Sequence, residues 1–303
     1  MSELEEKKSV EQEYEEYSKL LLESQEQGKE ASITNVWFDE KSKHSKPREA
    51  NDIGIDGIYS MQHQYGIGWM TDIVRMMPQN FPGRDSPGRF TCVDVGSQTE
   101  FATQLATFAN FIIVDPSFDI EDGGMSLPDL GIVLYSEEGQ DLNFIESGSM
   151  CMVSSFHAIE HFGLGRYGDS LDPFGDIAAL KEFNRVLCDH AWFMGSVPIT
   201  ASGHENVQFN DNRIYSPTLF RKMLDEAGFD VQKEVCAVST VLFTKTVDDY
   251  GGKEFVYPAG AINIQDYEEG MAQFIEEDPV AVLEENQAGH AAYIWLAQKR
   301  PGG

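Results

Sequence analysis

Three residues in one short run, His157, Glu160 and His161, are of the types that move protons near neutral pH. If the run is helical, the two histidines lie four residues apart on one face, with the carboxylate between them. Two readings stay open: a base that takes a proton from an acceptor, or hydrogen bonds that brace a loop. Downstream, the glycine-punctuated stretch GLGRYGD adds Arg166, Tyr167 and Asp169, and HENVQFNDNRIY gathers His204, Asn206, Asn210, Arg213 and Tyr215. Side chains of these kinds on loops commonly contact a substrate, and a sugar or other polyol suits them; tying down a long loop would employ them equally well. Asp169, Asp172 and Asp176 are oxygen donors, but their spacing matches no known cation loop and Asp176 is placed to cap a helix, so no metal is expected.

These residues need a frame, and the stretch TCVDVGSQTEFATQLATFANFIIVDPS (91–117) supplies its centre. It reads as a buried strand, a turn at Gly96, a helix, and a second buried strand ending in Asp115. Such a unit aims backbone N–H groups and the positive end of a helix at one spot, which suits an anionic group on a ligand. Asp115, 19 residues beyond Gly96, is placed to accept hydrogen bonds from two ribose hydroxyls. The turn reads GSQTEF, with one glycine where a dinucleotide fingerprint wants three, so Gln98 and Thr99 argue against NAD.

Around that centre the chain alternates in the α/β manner. GIVLY (131–135) and MCMVSS (150–155) read as strands, and Asp176 is expected to cap a helix running through Leu187. AWFMGSVP (191–198) is the next buried strand, Ser216-Pro217 opens a helix closed by Gly228, and AAYIWLAQKR is a strongly apolar last strand. At the start, Val10, Tyr14, Tyr17 and Leu21 form one apolar stripe on an acidic helix over 3–29. That stripe is expected to dock on the main domain, to pair two copies of the chain, or to cover a ligand. Residues 32–50 read as a solvated loop, residues 59–77 as a buried helix, and prolines 78, 82 and 87 as a linker.

At 303 residues and 41% hydrophobic composition the chain can bury a full core. It carries 22 Lys+Arg against 51 Asp+Glu, a formal net charge of −29. Such a field repels phosphate backbones and anionic membrane surfaces, so neither nucleic acid nor membrane is an expected partner. The four cysteines show no metal spacing and read as reduced thiols. With an acidic N-terminus and no spanning run, a cytoplasmic location is expected. Residues 248–286 hold eleven acids against Lys253 and read as an acidic surface insertion with a helix near Tyr267–Glu276.

Together VDVGSQ, IIVDPS, EGQDLNFIESGSMCMVSSFHAIEHF, LKEFNRVLCDHAWFMGSVP and the closing YIWLAQKR resemble the class I S-adenosylmethionine (SAM)-dependent methyltransferases over about residues 90 to 300. HAIEHFGLGRYGDSLDPFGD, followed by VQFNDNRIYSP, is similar more narrowly to an uncharacterised methyltransferase-like family first labelled from nematodes. Its bacterial relatives suggest surface-sugar chemistry. The resemblance implies a Rossmann-like α/β fold, a mostly parallel seven-stranded sheet with an antiparallel last strand, and SAM as cofactor. It implies that Asp94, Gly96, Ser97 and Gln98 hold the methionine end, Asp115 the ribose, and Pro116, Asp141 and Leu142 the adenine side. Ser155 and Phe156 would lie on the lip of the site with His157.

The expected organisation is an N-terminal helical extension and linker over 1–85 and a methyltransferase domain over 86–303, with the acidic insertion at about 248–290. The expected activity is O-methylation of a small-molecule or carbohydrate-like acceptor, with His157, His161 and Glu160 as the acid–base group. Alternatives are an inactive binding module on the same fold and N-methylation of a small amine, with pairing of two copies through the N-terminal helices left open.

Overall fold

The computed structural model describes residues 9–38, 57–76, 90–116, 118, 120, 124–137, 139–238, 260–277 and 291–302. The helices are α1 (Val10–Glu26), α2 (Gly57–Met76), α3 (Thr99–Leu105), α4 (Gly175–Val186), α5 (Pro217–Glu226) and α6 (Ile264–Glu277). The strands are β1 (Val36–Phe38), β2 (Thr91–Val95), β3 (Asn110–Val114), β4 (Met125–Leu127), β5 (Ile132–Tyr135), β6 (Met150–Phe156), β7 (Leu187–Pro198), β8 (Asn206–Phe209), β9 (Asn212–Ile214), β10 (Phe229–Val238), β11 (Gly260–Ile262) and β12 (Ala291–Lys299).

The apolar runs become strands buried on both faces, and their order follows. The main sheet reads β11-β10-β12-β7-β6-β2-β3-β5-β4. Strands β5, β3, β2, β6 and β7 pair in parallel, while β12 inserts antiparallel between β7 and β10. That insertion explains why residues 291–297 of β12 are apolar: every residue of β12 except Gln298 is buried. This is the Rossmann-like class I methyltransferase fold, a seven-stranded core to which β4 and β11 add short antiparallel edges.

Helices cover both faces of the sheet. One apolar cluster joins Tyr17 of α1, Leu180 and Phe183 of α4, Phe220 of α5 and Tyr267 of α6 to Val93, Phe193 and Trp295. The other joins Trp69, Met70 and Ile73 of α2 and Phe101, Ala102 and Leu105 of α3 to Cys92, Phe111 and Met152. So α2 packs on the main sheet, whereas α1 packs on β1 and β8. The stripe on α1 is used within the chain: Tyr14 stacks on Phe38 at 5.0 Å between ring centroids, and Tyr17 packs on Phe209 at 5.2 Å. Ser9 begins α1 with a reciprocal capping box to Gln12.

Four readings are corrected. The run from His157 to His161 is not one helix: His157 has φ 53°, and only Ile159–His161 forms a 3₁₀ turn. The His157 N–H still bonds to the Ser196 carbonyl (2.9 Å), so the chain leaves β6 at the positive φ of His157 itself. Asp176 does not cap α4; the cap position is Phe174, and Asp176 sits inside the first turn. Its carboxylate is wholly buried and accepts from Ser32 Oγ (2.5 Å) and the Tyr215 hydroxyl (3.0 Å). Residues 32–50, read as loop, contribute β1, which pairs in parallel with β8. The segment HENVQFNDNRIY, read as part of a long loop, contains the β8–β9 hairpin of that small sheet. Alternation Val207, Phe209 inward against Gln208 outward is the signal that was there to read. The linker prolines and most of the acidic insertion lie outside the described residues, although α6 falls where its helix was expected.

Candidate functional site

The C-terminal ends of β2, β3 and β6 lie side by side, which gathers Gly96, Asp115 and His157 at one edge of the sheet. Gly96 turns the chain out of β2 with φ 69°, a conformation that costs glycine nothing. A Cβ on Gly96 would come within 2.7 Å of Ala158 Cβ, so the glycine lets the His157 segment lie directly against the turn.

Beneath the turn, Asp94 is completely buried. It accepts from Ser154 Oγ (2.5 Å) and from the Ser97 N–H (3.2 Å), and Ser97 Oγ accepts from the Phe156 N–H (3.0 Å). Burial pushes the Asp94 carboxyl up to about 7, against the pull of the Ser154 and Ser97 hydrogen bonds. Ser155 Oγ donates to the Val95 carbonyl (2.9 Å). Asp94, Ser97, Ser155 and Phe156 therefore form an internal brace that stitches β2 to β6. Leu142 is buried as well, its N–H bonded to Glu182 Oε1 (3.1 Å). Gly96, Gln98, Asp115, Pro116 and Asp141 remain partly or fully exposed along the same edge.

Those exposed residues fit an adenosine-bearing group. Asp115 follows the end of β3 directly, beside the Gly96 turn, whose N–H bonds to Val114 O (2.9 Å). Next to Pro116, which accepts from Ser136 Oγ at 3.5 Å, Tyr135 and Phe144 stack at 4.4 Å, with Phe144 40% exposed. An exposed aromatic of this kind suits the face of a purine. Sequence reasoning missed Phe144; its neighbourhood with Tyr135 depends on a return of the chain that no local pattern announces.

On the other side of the turn, His157 Nδ1 lies 2.9 Å from Glu160 Oε1. Glu160 is 1% exposed, and neither Glu160 Oε2 nor His157 Nε2 has a hydrogen-bond partner among the described residues. His161 is differently employed. Its Nδ1 lies 2.5 Å from the Asp211 carbonyl, which fixes a proton there, and Nε2 stands 3.9 Å from Glu160. Burial lowers its pKa to about 4, so it is a neutral brace at neutral pH.

The GLGRYGD loop folds on Asp169, whose carboxylate accepts from the N–H groups of Gly163 (2.8 Å), Gly165 (3.3 Å) and Tyr167 (3.2 Å). Gly163, Gly165 and Gly168 all have positive φ, which is why the run is rich in glycine. Arg166 pairs with Asp211 and lies over the Tyr167 ring at 5.6 Å. Arg213 is buried; it donates to the Phe162 and Asp172 carbonyls and stands 3.7 Å from the Asp176 carboxylate. With Tyr215, also buried and bonded to Asp176, it locks the hairpin to the body. His204 is exposed, and Asn210 is buried with its Oδ1 unpartnered among the described residues. Among the described residues no group of three or more His, Cys, Asp or Glu could hold a metal ion.

α2 adds a wall that the sequence reading left out. Tyr59 packs on the His157 ring at 5.2 Å, and His63 lies flat on Phe101 at 4.3 Å. Gln62 Oε1 accepts from Ser196 Oγ (2.6 Å), and Ser196 is the residue paired with Phe156 between β7 and β6. The polar residues of YSMQHQYG, interrupting an apolar helix, were the available clue.

A sequence model of the family described as "Caenorhabditis protein of unknown function, DUF268" matches residues 142–256, which include the GLGRYGD run. No curated protein matches the chain. A candidate methyltransferase from Bacillus halodurans is 14% identical, with 78% of this chain and 99% of that one covered and a TM-score of 0.47. The Burkholderia thailandensis 1,6-didemethyltoxoflavin-N1-methyltransferase, solved with S-adenosylhomocysteine, is 10% identical, covers 80% and 85%, and has a TM-score of 0.42. Both overlays are loose, and the strand order of the chain itself defines the fold.

Proposed function

We propose that the chain is a SAM-dependent methyltransferase that methylates a hydroxyl oxygen of a small, carbohydrate-like acceptor. The observation that supports this best is the Glu160–His157 pair beside the Gly96 turn: Nδ1 is committed to a buried carboxylate, and Nε2 has no hydrogen-bond partner among the described residues. A carboxylate on Nδ1 fixes the tautomer in which Nε2 carries the lone pair, and it stabilises the imidazolium formed when that lone pair takes a proton.

Asp115 would hold the ribose, Gly96 and Gln98 the methionine end, and Pro116 with Asp141 and Phe144 the adenine. The bound cofactor would supply an electrophilic methyl group on sulfur. His157 would accept the hydroxyl proton as the oxygen–carbon bond forms and the methyl's bond to sulfur breaks; Glu160 holds the ring, and His161, kept neutral, packs behind without competing for that proton. Positioning supplies the rest, since in-line transfer in a dry site needs little further chemistry from the protein.

A binding module on the same fold is the second reading. It is favoured by the number of motif residues, Asp94, Ser97, Ser155 and Phe156, that are spent on internal hydrogen bonds or packing. Calorimetry with SAM, followed by radiolabelled methyl transfer to sugar and phenol acceptors, separates them. Binding with turnover supports the enzyme; binding with no turnover of any acceptor contradicts it.

A further inference from the structure

We propose that α2 forms the acceptor-side wall of this site and that His63 determines specificity there, its Nε2 holding a second hydroxyl of a neutral hydroxylated ring whose reacting hydroxyl faces His157. The inference rests on the methyltransferase reading above and names its acceptor more closely.

Tyr59 and His63 stand one helical turn apart and so share a face of α2. Tyr59 meets the His157 ring, His63 stacks on Phe101 with 2° between planes, and Phe101 meets Phe156, the neighbour of His157, edge-on at 4.8 Å. One face of α2 and the end of β6 therefore bound the same space. Gly66 carries the contact further along the helix: a Cβ there would come within 2.5 Å of Phe101 Cζ and 3.1 Å of Phe156 Cζ. A mid-helix glycine is less favourable than alanine, and here it lets the helix close on the site.

Two imidazoles in this space each bury an Nε2 without a hydrogen-bond partner among the described residues, His63 and His157. A buried polar atom left unpaired is costly, and a ligand with two hydroxyls would satisfy both. Charge selects the class further. Burial lowers the His63 pKa, which keeps the ring neutral, while the Glu160 carboxylate lies behind His157 and Glu100 acts on His63. An anionic acceptor would meet like charge, so a neutral one is favoured over it. The aromatic faces of Tyr59 and Phe101 suit the C–H face of a sugar-like ring.

The test uses the full chain, labelled SAM and a panel of methyl hexopyranosides with their monodeoxy analogues, with glucosamine as a charged control. His63→Phe, which keeps the stack on Phe101, should raise KM for the best glycoside about tenfold and leave kcat within about twofold. One monodeoxy analogue should be insensitive to the substitution, and His63→Gln, which retains a polar group, should recover most of the loss. An unchanged KM in His63→Phe, an equal loss with every analogue, preferred turnover of glucosamine, or no methylation of any probe by a chain that binds SAM would each overturn the inference. A chain that binds no SAM in calorimetry would instead bring down the reading beneath it.

Discussion

His157 and His161 stand four residues apart and both touch the environment of Glu160, yet their hydrogen bonds assign them opposite duties. His157→Gln should lower kcat about 10²- to 10⁴-fold with SAM affinity unchanged, measured by single-turnover methyl transfer and calorimetry. Asp94 gives a second expectation at this scale. An unfolded aspartate titrates near about 3.9, whereas burial raises Asp94 to about 7 in the folded chain. Between those values the folded chain keeps a proton that the unfolded chain releases. The Asp94 contribution is therefore fully present below about pH 4 and is lost as pH rises to about 7. Asp94→Asn, which keeps the shape, should remove that slope, so urea melts at several pH values should show the variant gaining on the wild type from pH 4 to 7. The sequence made Asp94 recognisable as part of a ligand-binding motif but could not show that Ser154, 60 residues away, consumes its carboxylate.

At the scale of elements, patterns with a local cause were legible and those with a distant cause were not. The β2–α3–β3 unit, the helix opened by Pro217 and the buried last strand each declare themselves through apolar runs, caps and glycine. The 3₁₀ turn after β6 did not, because the segment that leads into it lies against Gly96 of another strand's turn. Nor did the role of α2, since nothing in residues 57–76 says which part of the sheet they cover. Gly66→Ala tests that placement. Helix propensity alone would stabilise the variant, but the new methyl meets two buried rings, so a net loss of about 1–3 kcal/mol is expected from denaturant melts. A gain in stability would mean that α2 stands farther from Phe101 than 2.5 Å to Cζ allows.

Across the whole molecule, Arg213 joins parts that are far apart in sequence: α1 through Tyr17, the GLGRYGD loop through the Phe162 and Asp172 carbonyls, and α4 through Asp176. Arg213→Met leaves Asp176 buried without its cation. Breaking a buried pair in that way costs about 3–5 kcal/mol, so the variant should lose that much stability and loosen the N-terminal helix together with the loop. Hydrogen exchange that rises in α1 and in residues 162–172 together would show the coupling. Among the described residues no helix is long and apolar enough to cross a membrane.

The central claim, that the Gly96–Asp115 edge receives SAM, is tested most directly by calorimetry on the wild type and Asp115→Ala. Saturable one-to-one binding, weakened about tenfold or more when the ribose-facing carboxylate is removed, is the result expected. No binding, or an affinity that Asp115→Ala leaves unchanged, would contradict it.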